Sequence, residues 1–220
     1  MKNTTYIMAK QNPVTPPELF ASILGTHFIE TYKHIHTANI KVVVRRWTRM
    51  TIDGKPHPHS FFRDGDETRQ VEAKVIEGKG IELHSSLSGL LVLKSTGSSF
   101  HGFYRNDFAT LPDVYDRILS TSVDAGWQWK TFSGMDEVRK EVGKFDETFT
   151  AARDITMKTF ANDDSASVQN TMYKMCDQIL NAAPLVEAVD YSLPNKHYFE
   201  IGMYLFPQCQ TLSLTRILQI

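Results

Sequence analysis

The sequence predicts an α+β fold with antiparallel sheets, and three features carry that prediction. Strand-like stretches with two-residue alternation come in pairs. Helical stretches are gathered between those pairs, whereas single strands alternating with helices would indicate a parallel βαβ sheet. The pattern also restarts near residues 77–79. The restart divides the chain into a first unit over 1–77, a second over 78–201 and a tail over 202–220 of different character.

The first unit opens with "TTYIMAKQ" (4–11), a short β-like stretch. "TPPELFASILGTHFIETYKHIH" then predicts a helix with Thr15 as N-cap, Pro16 at the first helical position and Glu18 closing a capping box. Phe20, Leu24 and Phe28 recur every four residues, with Leu19 and Ile23 alongside, and mark its buried face. The histidines of "HIH" (34–36) suit the C-terminal end of that helix, where a cation is favoured. "NIKVVVRRWTRM" (39–50) sets Ile40, Val42 and Val44 against Asn39, Lys41, Val43 and Arg45, the pattern of a half-buried strand. "DGKPHPHS" is turn chemistry, and "FFRDGDETRQVEAKVIEG" pairs back antiparallel. His57 and His59 read as exposed imidazoles on a Pro-rich loop tip. No Asp, Glu or Cys cluster stands near them to complete a metal site.

In the second unit, "GIELHSSLSGLLVLKST" is one long strand or two, and "GWQWKTFS" is strand-like. Between them, "FHGFYRNDFATLPDVYDRILSTSV" predicts a short helix from near Thr110 and Pro112. Phe145, Phe149, Ala152 and Phe160 fall at near-helical spacing, as do Val168, Met172, Met175 and Ile179. "LVEAVDYSLPNKHYFEI" closes the unit with strands.

Composition narrows the function. Lys plus Arg number 24 against 25 Asp plus Glu, a net charge of −1 that argues against a nucleic-acid binder. Cys176 and Cys209 make neither a disulfide framework nor a metal-spaced pair, so a reducing, intracellular compartment is expected. No apolar run approaches the ~18 residues of a membrane span, and "MKNTTYIMAK" lacks a signal-peptide core. Gly-rich phosphate loops, HExxH, GxSxG and CxxC are missing.

Four places hold chemically distinctive groups in otherwise apolar text: Phe100 after a Ser-rich turn, Arg117 in "PDVYDRIL", Gln169 early in a helix, and Asn195 with His197 in "SLPNKHYFEI". Strand alternation points Asn195 and His197 the same way. Residue type alone leaves bland alternatives open. Arg117 could pair with Asp113 or Asp116 at the surface, Gln169 could be an exposed helix residue, Phe100 could be core, and His197 a satisfied half-buried histidine.

A resemblance adds to this. "AKQNPVTPPELFASILGTHFIETYKHIH", "RWTRMTIDGKPHPHSF", "SSLSGLLVLKST", "FATLPDVYDRILSTSVDAGWQWKTFSG", "FANDDSASVQNTMYKM" and "YSLPNKHYFEI" resemble the urate oxidase (uricase) family, its fungal branch above all, from about Lys2 to Ile201. The resemblance implies the tunnelling fold, with two ββααββ units per subunit and a homotetrameric barrel. It implies oxidation of urate by O₂ to 5-hydroxyisourate and hydrogen peroxide with no metal or organic cofactor, usually in peroxisomes. By matching motif, it assigns substrate binding to Phe100, Leu111, Arg117, Val168, Gln169 and Asn195, and catalysis to Asn195 and His197. A planar Arg fork suits the urate anion, Gln169 offers both donor and acceptor, and Phe100 a stacking face. An imidazole suits proton relay near neutrality.

Two departures accompany the resemblance. Family members carry an N-terminal strand pair before "KNT", which supplies a lysine and a threonine to the proton relay across the subunit interface. The chain as written begins at that border. "GMYLFPQCQTLSLTRILQI" departs from the family pattern, in the manner of a frameshift or unspliced intron, and "LQI" is not a peroxisomal tripeptide, which leaves a cytoplasmic location open. Both departures predict lower stability and poor activity than in an intact homologue, with an exposed strand edge. The alternatives are a non-catalytic chain that binds urate or co-assembles, and a pterin-acting enzyme of the same fold. The second is disfavoured because those enzymes anchor the heterocycle with a glutamate.

Overall fold

The computed structural model describes residues 1–165 and 167–198; the 202–220 tail, Cys209 and the end of "HYFEI" lie outside them. Helix α1 (Lys2–Gln11) replaces the β-like stretch expected at 4–11. Its Met8 and Ala9 pack against Phe20, Leu24, Phe28 and Ala38, a contact that outweighs the strand preference of Thr and Ile. Asn12 ends it, donating to the Met8 carbonyl from backbone and side chain, both at 3.0 Å. Helix α2 (Pro17–Thr31) starts one residue later than predicted, with Pro16 as its N-cap. Glu18 closes no capping box: it is fully buried and accepts from Arg69 Nη2 at 2.8 Å and Ser85 Oγ at 2.7 Å. The 34–36 histidines do not cap α2 either; His36 Nδ1 meets Glu77 Oε2 at 2.6 Å.

Strands β1 (Thr37–Arg45), β2 (Thr48–Ile52), β3 (Lys55–Phe62), β4 (Thr68–Ile76) and β5 (Gly80–Lys94) follow. "PHPH" lies within β3, not on a loop tip, and the His57 and His59 rings sit 4.7 Å apart. Proline is tolerated there because β2 and β3 form a separate two-stranded ribbon that leaves an unpaired edge. Then come β6 (Leu119–Trp129), α3 (Met135–Lys140), α4 (Val142–Asn162), α5 (Val168–Ala182), β7 (Val186–Ser192) and the short β8 (Asn195–Lys196). The main sheet runs β1-β4-β5-β6-β7, wholly antiparallel, with β8 paired to β6. The restart at 77–79 is the turn between β4 and β5.

Alternation makes the sheet two-faced. Val71, Ala73 and Val75 of β4 turn inward, while Glu72 and Lys74 form cross-strand pairs with Lys41 and Glu82 on the other face. The inward face packs under α2, α4 and α5, around buried Trp127, Trp129 and Phe145. Trp129 satisfies its indole by donating to Ser85 Oγ at 2.9 Å. The predicted helix near 110–112 is not formed. Phe100 and Val114 exchange backbone hydrogen bonds of 2.7 and 2.9 Å, so the groups a helix needs are already committed.

Gly80 is required where β5 begins. Its φ is +104°, and a Cβ there would lie 2.3 Å from the Phe132 carbonyl oxygen, which accepts from Ile81 N. Gly80→Ala is expected to cost about 2 kcal/mol or more, from strain plus collision, read as a lower urea midpoint. An unchanged midpoint would contradict that close approach.

Candidate functional site

The site grows from the end of β5. Asp116 accepts from Thr96 Oγ1 at 2.6 Å and Gly97 N at 2.9 Å. The Thr96 hydroxyl, joined by the N–H groups of Gly97, Ser98 and Arg117, holds its carboxyl below the ordinary value. Asp113 pairs with Arg105 at 3.0 Å. Both acidic neighbours are thus engaged elsewhere, which removes the surface ion pair as an explanation of Arg117.

Arg117 turns inward instead. Its backbone donates to the Ser98 carbonyl at 2.8 Å, and its guanidinium carbon lies 5.3 Å from the Phe100 ring centroid. Its Nε is buried with no hydrogen-bond partner among the described residues, as is Ser98 Oγ. A buried N–H left unpaired costs about 1–3 kcal/mol, so an acceptor brought to this edge gains in proportion. Phe100 is half-buried and stacks on Phe103, centroids 4.6 Å apart at 17°.

The α4–α5 connection lies against the same turn. Ser98 and Ser165 form a parallel bridge: Ser99 N donates to the Ser165 carbonyl at 2.9 Å and Ser165 N to the Gly97 carbonyl at 3.3 Å. Ser167 then caps α5, accepting from Asn170 N at 3.2 Å. Val168 packs against Leu119, Phe160 and Met175, which sets the α5 N-terminus beside the start of β6. Gln169 follows it, exposed, at the first turn. On β8, Asn195 stands opposite Thr121 of β6, four residues along from Arg117. Asn195 Nδ2 lies 3.4 Å from His197 Nδ1, a donated bond when the ring carries its proton on Nε2. Leu111 lies farther out, 61% exposed, with its carbonyl accepting from Arg105 at 2.6 Å.

Sequence reasoning passed over Asp163, Ser165 and Lys94. Burial raises the Asp163 carboxyl, but hydrogen bonds from Lys174 (2.5 Å) and Thr171 (2.6 Å) and the charges of Lys174 and Lys94 bring it below the ordinary value. A depressed folded value contributes stability above the unfolded pKa, near 3.9, and loses it as pH falls through the folded one. Asp163→Asn should therefore lose less stability than the unmodified chain between pH 5 and 3, by thermal unfolding. Equal losses would contradict the network.

Two clefts of about 760 and about 650 Å³ lie elsewhere, shared between α2 and Ser133–Met135, and contain none of the sequence-chosen residues. Among the described residues, no group of three or more His, Cys, Asp or Glu could hold a metal ion, and no helix is long and apolar enough to cross a membrane.

The chain as a whole is similar to proteins of one known family. The uricase family profile matches residues 1–74 and 83–213, past the change of character at 201. Uricase from Aspergillus flavus is 66% identical over 203 residues, covering 92% of this chain and 67% of that protein. Uricase from Schizosaccharomyces pombe is 49% identical over 93% of this chain and 69% of its own length. The crystal structure of uricase from Arthrobacter globiformis matches with a TM-score of 0.79 at 34% identity, covering 93% of this chain and 66% of that one. The chain thus spans about two thirds of the length of these relatives and shares their α+β tunnelling fold.

Proposed function

From the premise that the chain belongs to the uricase family, we propose that it binds urate between Phe100, Arg117, the Val168–Gln169 turn and Asn195, and serves its oxidation by O₂. The products would be 5-hydroxyisourate and hydrogen peroxide, formed without metal or organic cofactor, in a homotetramer. The observation that carries the reading is the Arg117 edge: a cation with a buried, unpartnered Nε, adjoining an aromatic ring.

Each residue has a physical task in this reading. Arg117 offers Nε and a terminal N–H as two in-plane donors to the urate anion, which also compensates its charge. Gln169 can donate to and accept from the opposite purine edge. Phe103 stacks on one face of Phe100, and urate stacked on the other face would gain about 0.5–1.5 kcal/mol beyond burial. That gain is below what two charge-assisted hydrogen bonds supply, so the Arg117 contacts dominate affinity. Asn195 orients O₂ or the attacking water over the ring. His197, with Nδ1 toward Asn195, carries protons through Nε2.

Urate consumption by the purified chain, followed as loss of its ultraviolet absorbance in air-saturated buffer, tests this reading. Slow turnover, below that of an intact homologue and abolished by Arg117→Ala, is the expected result. Binding without turnover would favour a urate-binding or co-assembling chain, and absence of both would overturn the proposal.

A further inference from the structure

Lys94 ends β5 half-buried, outside the residues assigned to urate. Its ammonium donates to the Asp163 carbonyl at 2.7 Å and to Ser165 Oγ at 3.2 Å, and lies 5.7 Å from the Phe160 ring centroid. The two acceptors flank Asp164 in the turn that joins α4 to α5. Ser165 Oγ also meets Thr171 Oγ1 at 2.9 Å, and Thr171 Oγ1 donates to the Asp163 carboxylate at 2.6 Å. The backbone of the same Ser165 is bridged to Gly97 and Ser99, on either side of Ser98. The ammonium thus fixes Ser165 through its side chain, while the Ser165 backbone is joined to the turn that ends in Phe100, so that one residue ahead of α5 is held from both sides.

We infer that Lys94 is a positioning residue for urate binding: it holds the chain after α4 at Asp163 and Ser165 so that the α5 N-terminus presents Val168 and Gln169 to a ligand gripped by Arg117 and Phe100. The inference rests on the urate reading above. Burial of Lys94 lowers its pKa despite the raising charges of Asp163, Asp164 and Asp116, so the cation is kept at a cost. An apolar side chain of similar size would serve stability at least as well. What it could not do is donate to the Asp163 carbonyl and the Ser165 hydroxyl together, and so fix the direction in which the turn leaves α4.

The test is urate affinity by anaerobic equilibrium dialysis on the full chain, with folding checked by circular dichroism. Lys94→Met is expected to weaken binding about tenfold, the scale of one lost charge-assisted hydrogen bond. In a Gln169→Ala background the same change should cost only about twofold, because residues acting through one another are non-additive. Unchanged affinity, or an equal loss in both backgrounds, would reduce Lys94 to a structural role. Should Lys94→Met not fold, Ser165→Ala removes the hydroxyl anchor while keeping the ammonium, and unchanged affinity there overturns the inference. Failure of the unmodified chain to bind urate overturns the functional reading and this inference with it. Binding by the unmodified chain with unaffected variants overturns the inference alone.

Discussion

Arg117→Ala is expected to weaken urate binding about a hundredfold, the scale on which truncating a buried charged hydrogen-bonding partner acts. Two features set that size. The guanidinium is packed over Phe100 at 5.3 Å, in a setting where water competes poorly. Its Nε is already desolvated and unpartnered among the described residues, so no internal bond has to break before a ligand is held. Stacking on Phe100 contributes less, about 0.5–1.5 kcal/mol beyond burial. Arg117→Lys should restore little, since a point charge cannot supply two coplanar donors. Equilibrium dialysis of both variants decides the matter, and a loss within threefold for alanine would remove Arg117 from the site.

Glu18→Ala should have the largest effect on stability, about 3–5 kcal/mol, as expected when one member of a buried ion pair is deleted. Glu18 is fully buried and holds Arg69 and Ser85 at 2.8 and 2.7 Å. Ser85 in turn accepts from Trp129, which packs edge-on against Phe145 at 5.0 Å. Arg69 would retain Asp146 at 2.6 Å, but that carboxylate is 61% exposed and shares its attraction with solvent. Against a total stability of about 5–15 kcal/mol, such a loss moves the urea midpoint well outside error. A Glu18→Ala chain with an unshifted midpoint would show the network to be dispensable.

The elements read well where periodicity was long and unopposed. In β4 the alternation of Val71, Ala73 and Val75 with Glu72 and Lys74 is the burial pattern of the strand. In α4, Phe145, Ala152 and Phe160 are buried and Phe149 is packed against the core. The errors lie where a tertiary contact outbid a local preference. Helix α1 forms because Met8 and Ala9 have Phe20, Leu24 and Phe28 to cover. The stretch after Thr110 stays irregular because Val114 pairs with Phe100, fourteen residues back. Glu18 fits a capping box in sequence, yet it is drawn inward by Arg69, fifty-one residues away.

The candidate site divides in the same way. Sequence alone determined which residue types were available and, through motifs as long as "SASVQNTMYKM" and "YSLPNKHYFEI", which family they belong to. Local periodicity determined the strands and helices that carry them. Tertiary structure alone decided that Asp113 and Asp116 would be engaged by Arg105, Thr96 and Gly97, leaving Arg117 to face Phe100. It also decided that Lys94 would reach across about seventy residues of chain to the turn before α5. The reason is physical: hydrophobic period is a local quantity written in the order of residues, whereas the partner of a buried charge is whichever group the folded backbone brings within about 3 Å of it.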